Sequence, residues 1–170
     1  MKITNNQLLL DTFNKVQFYF RKNDYKRAKE YISEIRKTVF EISRGFADQK
    51  IPEDGVYDEV FMVMGAAHCY EGMIGFIQGD GNLCVMMHMQ SIRFLDKVLK
   101  KTNEVLLLEM RSCIEIACRY SSEIKNEEKI KLYLNKFDAL YCHIGVLECV
   151  PGNLSVMCKE RDRIYGLFDK

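Results

Sequence analysis

Apolar residues recur at spacings of three and four along nearly the whole chain, and no stretch sustains the period-two alternation of a half-buried strand. The pattern predicts an all-α fold of six or seven antiparallel helices. Leu9, Phe13, Val16 and Phe20 trace the first, behind the capping residue types Thr4, Asn5 and Asn6. Asn23 and Asp24 interrupt it. Tyr25, Ala28, Ile32, Ile35, Val39, Ile42 and Phe46 then keep the rhythm through a second helix, with Gly45 near its end and a loop at Asp48–Asp54 around Pro52. From Val56 to Gln78 apolar residues occupy nearly every face, which predicts a central helix surrounded by others. Gly65, Ala66, Gly72 and Gly75 lie within it, although each glycine costs a helix up to about 1 kcal/mol. Small residues there predict a neighbouring backbone at close range.

Gly79, Asp80, Gly81 and Asn82 mark a turn, and a fourth helix is expected from Leu83 to about Lys101, with Cys84, His88, Ser91, Leu95 and Val98 on one face. Thr102 and Asn103 cap a fifth, carrying Leu106, Met110, Cys113, Ala117 and Tyr120. Asn126, with Glu127 and Glu128 in the favourable first turn, opens a sixth through Ile130, Tyr133, Leu134, Phe137, Leu140, Tyr141 and Ile144. Pro151, Gly152 and Asn153 begin a last helix through Met157, Ile164 and Phe168. The length and the apolar content suit one hydrophobic core, so residues 1–170 are expected to form a single helical domain.

Charge alters this picture little. The net charge of +1 provides no global field to draw in nucleic acid or an anionic membrane. Residues 1–50 hold 11 Lys/Arg against 6 Asp/Glu, but Glu30 and Glu34 interleave the basic run Arg21, Lys22, Lys26, Arg27, Lys29, Arg36 and Lys37, which reads as a solvated face. The seven cysteines are odd in number and without a CxxC pair, as expected of reduced, mostly buried thiols. With a polar start at Met1–Asn6 and no secretory pattern, the expectation is a cytoplasmic protein. His68, Glu71 and Gln78 interrupt Val60–Gly79 enough to argue for a soluble core helix over a membrane span.

Two helix pairs carry a further pattern. Tyr19 is followed by Asn23, Asp24, Tyr25 and Ala28, and Gly72 by Gly79, Asp80, Cys84, His88 and Ser91. Over about half of the chain this resembles the tetratricopeptide-repeat hairpin. Val16, Glu71 and Gly75 depart from that pattern, and the turns at Asp24, Asp80 and Asn126 lie 56 and then 46 residues apart, against a usual period near 34. A repeat-like array and an irregular helical bundle therefore both remain open. The resemblance implies a concave surface that binds a peptide or helix, lined by Phe13, Gln17 and Phe20 from one unit and by Cys69, Met73 and Phe76 from the next.

Two clusters could carry chemistry. His68 and Glu71, three apart on the central helix, can hydrogen-bond as a buried polar pair or serve as a proton-transfer dyad. Cys84 and His88, four apart, have metal-ligand spacing, and Met86, Met87 and Met89 add soft sulfur of the kind that suits Cu(I). On a helix those methionines diverge, and a zinc site would need further ligands from elsewhere in the fold. Gly79-Asp80-Gly81 lacks the lysine of a phosphate-binding loop. The expected function is therefore a non-enzymatic interaction module without a cofactor: a scaffold, an adaptor, a peptide-sensing regulator or a toxin-neutralising immunity protein, with a protein or peptide partner and a homo-oligomer as an option. The alternatives are a small-ligand or metal-binding bundle using His68, Glu71, Cys84 and His88, and an enzyme centred on His68 and Glu71.

Overall fold

The computed structural model describes residues 2–44, 55–144 and 152–168, and among these it holds seven α-helices and no strand. They are α1 (Lys2–Arg21), α2 (Tyr25–Arg44), α3 (Asp58–Ile77), α4 (Gly81–Leu95), α5 (Asn103–Arg119), α6 (Glu127–Tyr141) and α7 (Gly152–Tyr165), with a π-helical turn at Tyr120–Ile124 continuing α5. The all-α expectation holds. The expected loop at Asp48–Asp54, with Gly45, Phe46 and Pro52, lies outside the described residues, as does Pro151.

Short connections fold consecutive helices back on one another as hairpins, α1 on α2, α3 on α4 and α5 on α6. Polar side chains set the breaks where the sequence places them. Asn23 takes a left-handed backbone (φ 59°) between α1 and α2. Asp80, Thr102 and Asn126 each accept the backbone N–H three residues on, at 3.0, 3.3 and 3.1 Å. Several boundaries differ from the sequence reading: α3 is Asp58–Ile77, α4 opens at Gly81 ahead of Leu83, α6 ends at Tyr141 short of Ile144 and α7 at Tyr165 short of Phe168, and two larger shifts have a visible cause. The first helix begins at Lys2, ahead of Thr4–Asn6, and Asn6 instead donates across to Glu59 of α3 at 3.0 Å. The fourth ends at Leu95 rather than near Lys101, because the Asp58 carboxylate takes the N–H groups of Leu99 and Lys100 at 2.9 Å each and diverts them from helical bonding. Val98 is buried as expected, but from this connection.

The apolar stripes meet in two main clusters. Leu9, Phe13, Val16, Ile32, Ile35 and Val63 are among the side chains that join α1, α2 and α3. Met110, Ile116, Leu134, Phe137, Met157 and Ile164 are among those that join α5, α6 and α7. The α3–α4 seam ties the two together, and its closeness is set by glycine. A Cβ on Gly65 would lie 2.5 Å from the Leu95 side chain, on Gly72 2.6 Å from the His88 ring, and on Gly75 2.9 Å from the Cys84 backbone nitrogen. Ser91 adds a 2.7 Å hydrogen bond to the Gly65 carbonyl across the seam. α3 is the one helix among the described residues long and apolar enough to cross a membrane by length and composition, and 61% of that stretch is buried by its neighbours.

Candidate functional site

The six side chains implied by the repeat resemblance do not share one surface. Phe13 and Cys69 are buried, and Phe13 and Phe20 pack edge-on against Tyr70 with ring centres 5.8 and 5.0 Å apart. Gln17 donates to the Tyr70 hydroxyl at 3.4 Å. Met73 is half-buried. Phe76 is exposed beneath the Arg119 guanidinium, at the edge of a separate cavity of about 560 Å³ that also takes in Arg111, Glu115 and Cys118 of α5 and Glu160 of α7.

A larger recess, about 730 Å³, opens between α2, α3 and α4. Val39, Phe40, Val60, Phe61, Met64 and Phe94 form most of its wall, and among the described residues its lining holds the cations Arg36 and Lys97 and no carboxylate. Lys97 lies over the rings of Phe61 and Phe94, at 5.6 and 5.2 Å from their centres. At the inner end His68 stacks on Phe94 with ring centres 5.5 Å apart. His68 and Glu71 do come together, but through a third residue. The Arg36 guanidinium donates to Glu71, to His68 Nδ1 at 3.3 Å and to the Met87 sulfur at 3.4 Å. An arginine can only donate, so Nδ1 must be the acceptor of a neutral imidazole. Burial and the adjacent guanidinium lower the His68 pKa to about 4. Arg36 follows the buried Ile35 and lies one turn after Ile32, so its inward reach could have been suspected; its partners on α3 could not.

A second cluster lies at the α3–α4–α5 junction. Cys84 and His88 are fully buried, and α5 brings in Glu115, so that one ligand-type atom from each of the three lies within 4.8 Å of the others. The His88 Nδ1 and the Ser112 Oγ are 2.9 Å apart, and the Ser112 hydroxyl also bonds the Cys69 thiol. The His88 Nε2 is buried without a hydrogen-bond partner. Burial pushes the Cys69 thiol up to about 11 and raises the Glu115 carboxyl above its ordinary range, while burial first and Arg111 second lower His88 to about 3. The sequence gives no sign of Glu115, which with Arg111 reads as an ordinary i,i+4 surface pair. The three methionines diverge as helical geometry requires. Met86 is exposed, Met87 faces Arg36, and Met89 packs against the α5–α7 core.

No protein-family model matches the chain, and neither the curated proteins nor the solved structures include a match to it.

Proposed function

We propose that the protein is a non-enzymatic binding module whose recess between α2, α3 and α4 receives a polypeptide segment carrying apolar side chains beside a carboxylate. The observation that carries this reading is the makeup of the recess: about 730 Å³ with an apolar wall and, among the described residues, two lining cations and no lining carboxylate. Phe40, 61% exposed at its edge, extends the apolar contact beyond the cavity, as a macromolecular partner requires. Among the described residues no carboxylate pairs with Lys97, so an acidic group entering there gains a charge partner without displacing one. His68 and Glu71 support binding better than catalysis, because Arg36 engages both and the wall beside His68 is apolar. The pairing of consecutive helices is also in keeping with a tetratricopeptide-like array, although the recess is not the surface that the resemblance implies.

The test is cross-linking of the full chain to partners in its native extract. Binding is then measured with the purified partner for wild type, Phe40→Asp, Lys97→Glu and, outside the recess, Phe76→Asp. The expected result is cross-links on α2 and α3, with binding weakened by the first two substitutions and kept by the third. Equal binding by all three folded variants overturns the reading. Stoichiometric binding of laurate that Lys97→Glu abolishes, with no protein partner, replaces the peptide with a small amphiphilic acid.

A further inference from the structure

We propose that Cys84, His88 and Glu115 bind a single divalent transition-metal ion of the zinc type at the α3–α4–α5 junction. The donor set is one sulfur, one imidazole nitrogen and one carboxylate oxygen, a borderline combination that suits zinc and excludes a preference for magnesium or calcium. Bond lengths of about 2.0 Å to nitrogen and oxygen and about 2.3 Å to sulfur imply donor separations of roughly 3.3–3.5 Å in a tetrahedral site. The three donors already lie within 4.8 Å of one another, so closure by about an ångström completes the set.

The unpartnered Nε2 of a fully buried imidazole points to a missing partner. Zinc-bound histidines characteristically give their other ring N–H to a hydrogen-bonding neighbour, and Ser112 occupies that place at 2.9 Å from Nδ1. The orientation is further fixed by Gly72, where a Cβ would lie 2.7 Å from Nε2. A buried ring nitrogen without a hydrogen-bond partner is therefore held in one orientation, not merely stranded.

Charge and access agree with this assignment. A dication, one thiolate and one carboxylate sum to zero, so the ion and its ligands carry no net charge and Arg111 beside Glu115 adds one positive charge. Binding releases the Cys84 thiol proton to solvent, which makes the affinity fall with acidification. Arg111, whose Nη2 lies 3.8 Å from Glu115, has a side chain 41% exposed, so water reaches part of its guanidinium once the metal takes the carboxylate, while its Nε stays buried without a partner. Glu115 and Arg111 also line the open cavity of about 560 Å³, which provides an entry path from solvent. Three protein ligands leave a fourth position for water, with Cys69 close by on α3.

The test uses the reduced, chelator-stripped full chain titrated with Co²⁺ under anaerobic conditions, followed by the thiolate-to-cobalt charge-transfer absorption, and then with Zn²⁺ in competition. One equivalent of cobalt should bind, and zinc should displace it. Cys84→Ser should abolish the absorption, and Glu115→Gln should weaken binding at least about tenfold with an unchanged circular dichroism spectrum. Ser112→Ala, which removes only the orienting hydroxyl, should weaken it about 10- to 100-fold. Replacement of the exposed Cys142 by serine should change nothing. Absence of the absorption in wild type, its persistence in Cys84→Ser, or wild-type affinity in Glu115→Gln each overturns the proposal. Glu115 is only partly buried, so that variant decides the matter if Cys84→Ser fails to fold. Loss of partner binding at the recess leaves these outcomes untouched, because the two sites share no residue.

Discussion

Arg36 makes the protonation state of His68 a structural matter. Protonation at Nδ1 would turn an acceptor into a second cation facing the guanidinium, with Glu71 already engaged by Arg36 and Lys97 across the recess. The folded value of about 4 lies below the ordinary 6.5. Between the two the unfolded chain binds more protons, so this contribution to stability is complete above the ordinary value and is lost as pH falls toward the folded one. The loss amounts to at most about 1.4 kcal/mol per pH unit. Urea unfolding at about pH 7 and about pH 5 should show a lower midpoint in acid for the wild type and a smaller decrease for His68→Gln. Gly72 sets a second residue-scale limit. Gly72→Ala should destabilise the protein by about 1–3 kcal/mol in the same assay, since the added methyl meets the His88 ring at 2.6 Å and that ring has no room to retreat.

At the scale of elements, the end of α4 shows how a distant group overrides a local pattern. Val98 keeps the helical spacing set by Leu95 and Ser91, yet Asp58, about forty residues away in sequence, captures the two N–H groups that would have prolonged the helix. Asp58→Ala should lower stability by about 1–2 kcal/mol and increase amide exchange at Leu99 and Lys100, read by hydrogen-exchange NMR. Boundaries held by the chain's own neighbours were largely legible: Thr102 and Asn126 cap as their types and positions suggest, while Asp80, read only as part of a turn, caps a helix that opens two residues ahead of Leu83. Boundaries and sites held across the fold were not. His68 and Glu71 could be paired from their spacing, but Arg36 comes from α2, and Glu115 comes to Cys84 and His88 only through the packing of α5 on α4. Periodicity records which face is apolar, and it does not record which helix lies against it.

For the molecule as a whole, that distinction explains why the all-α architecture and the central place of α3 were readable while the arrangement of the six implied groove residues was not. Phe13 and Cys69 carry the same apolar signal whether a helix or a ligand covers them. The two main clusters give a further expectation. Ile32→Ala and Leu134→Ala, one in each, should each cost about 2–5 kcal/mol and should add in the double variant. Circular dichroism and tyrosine fluorescence should nevertheless follow one transition, because the glycine seam joins the clusters. That seam also constrains how the chain can change over time. Where a ring rests on bare backbone, neither position has an independent alternative: a methyl at Gly72 becomes tolerable only beside something smaller than imidazole at His88, and a longer side chain at His88 finds no space to enter. Substitution along this line must therefore proceed in matched pairs, while the outer faces of the same two helices can drift one residue at a time.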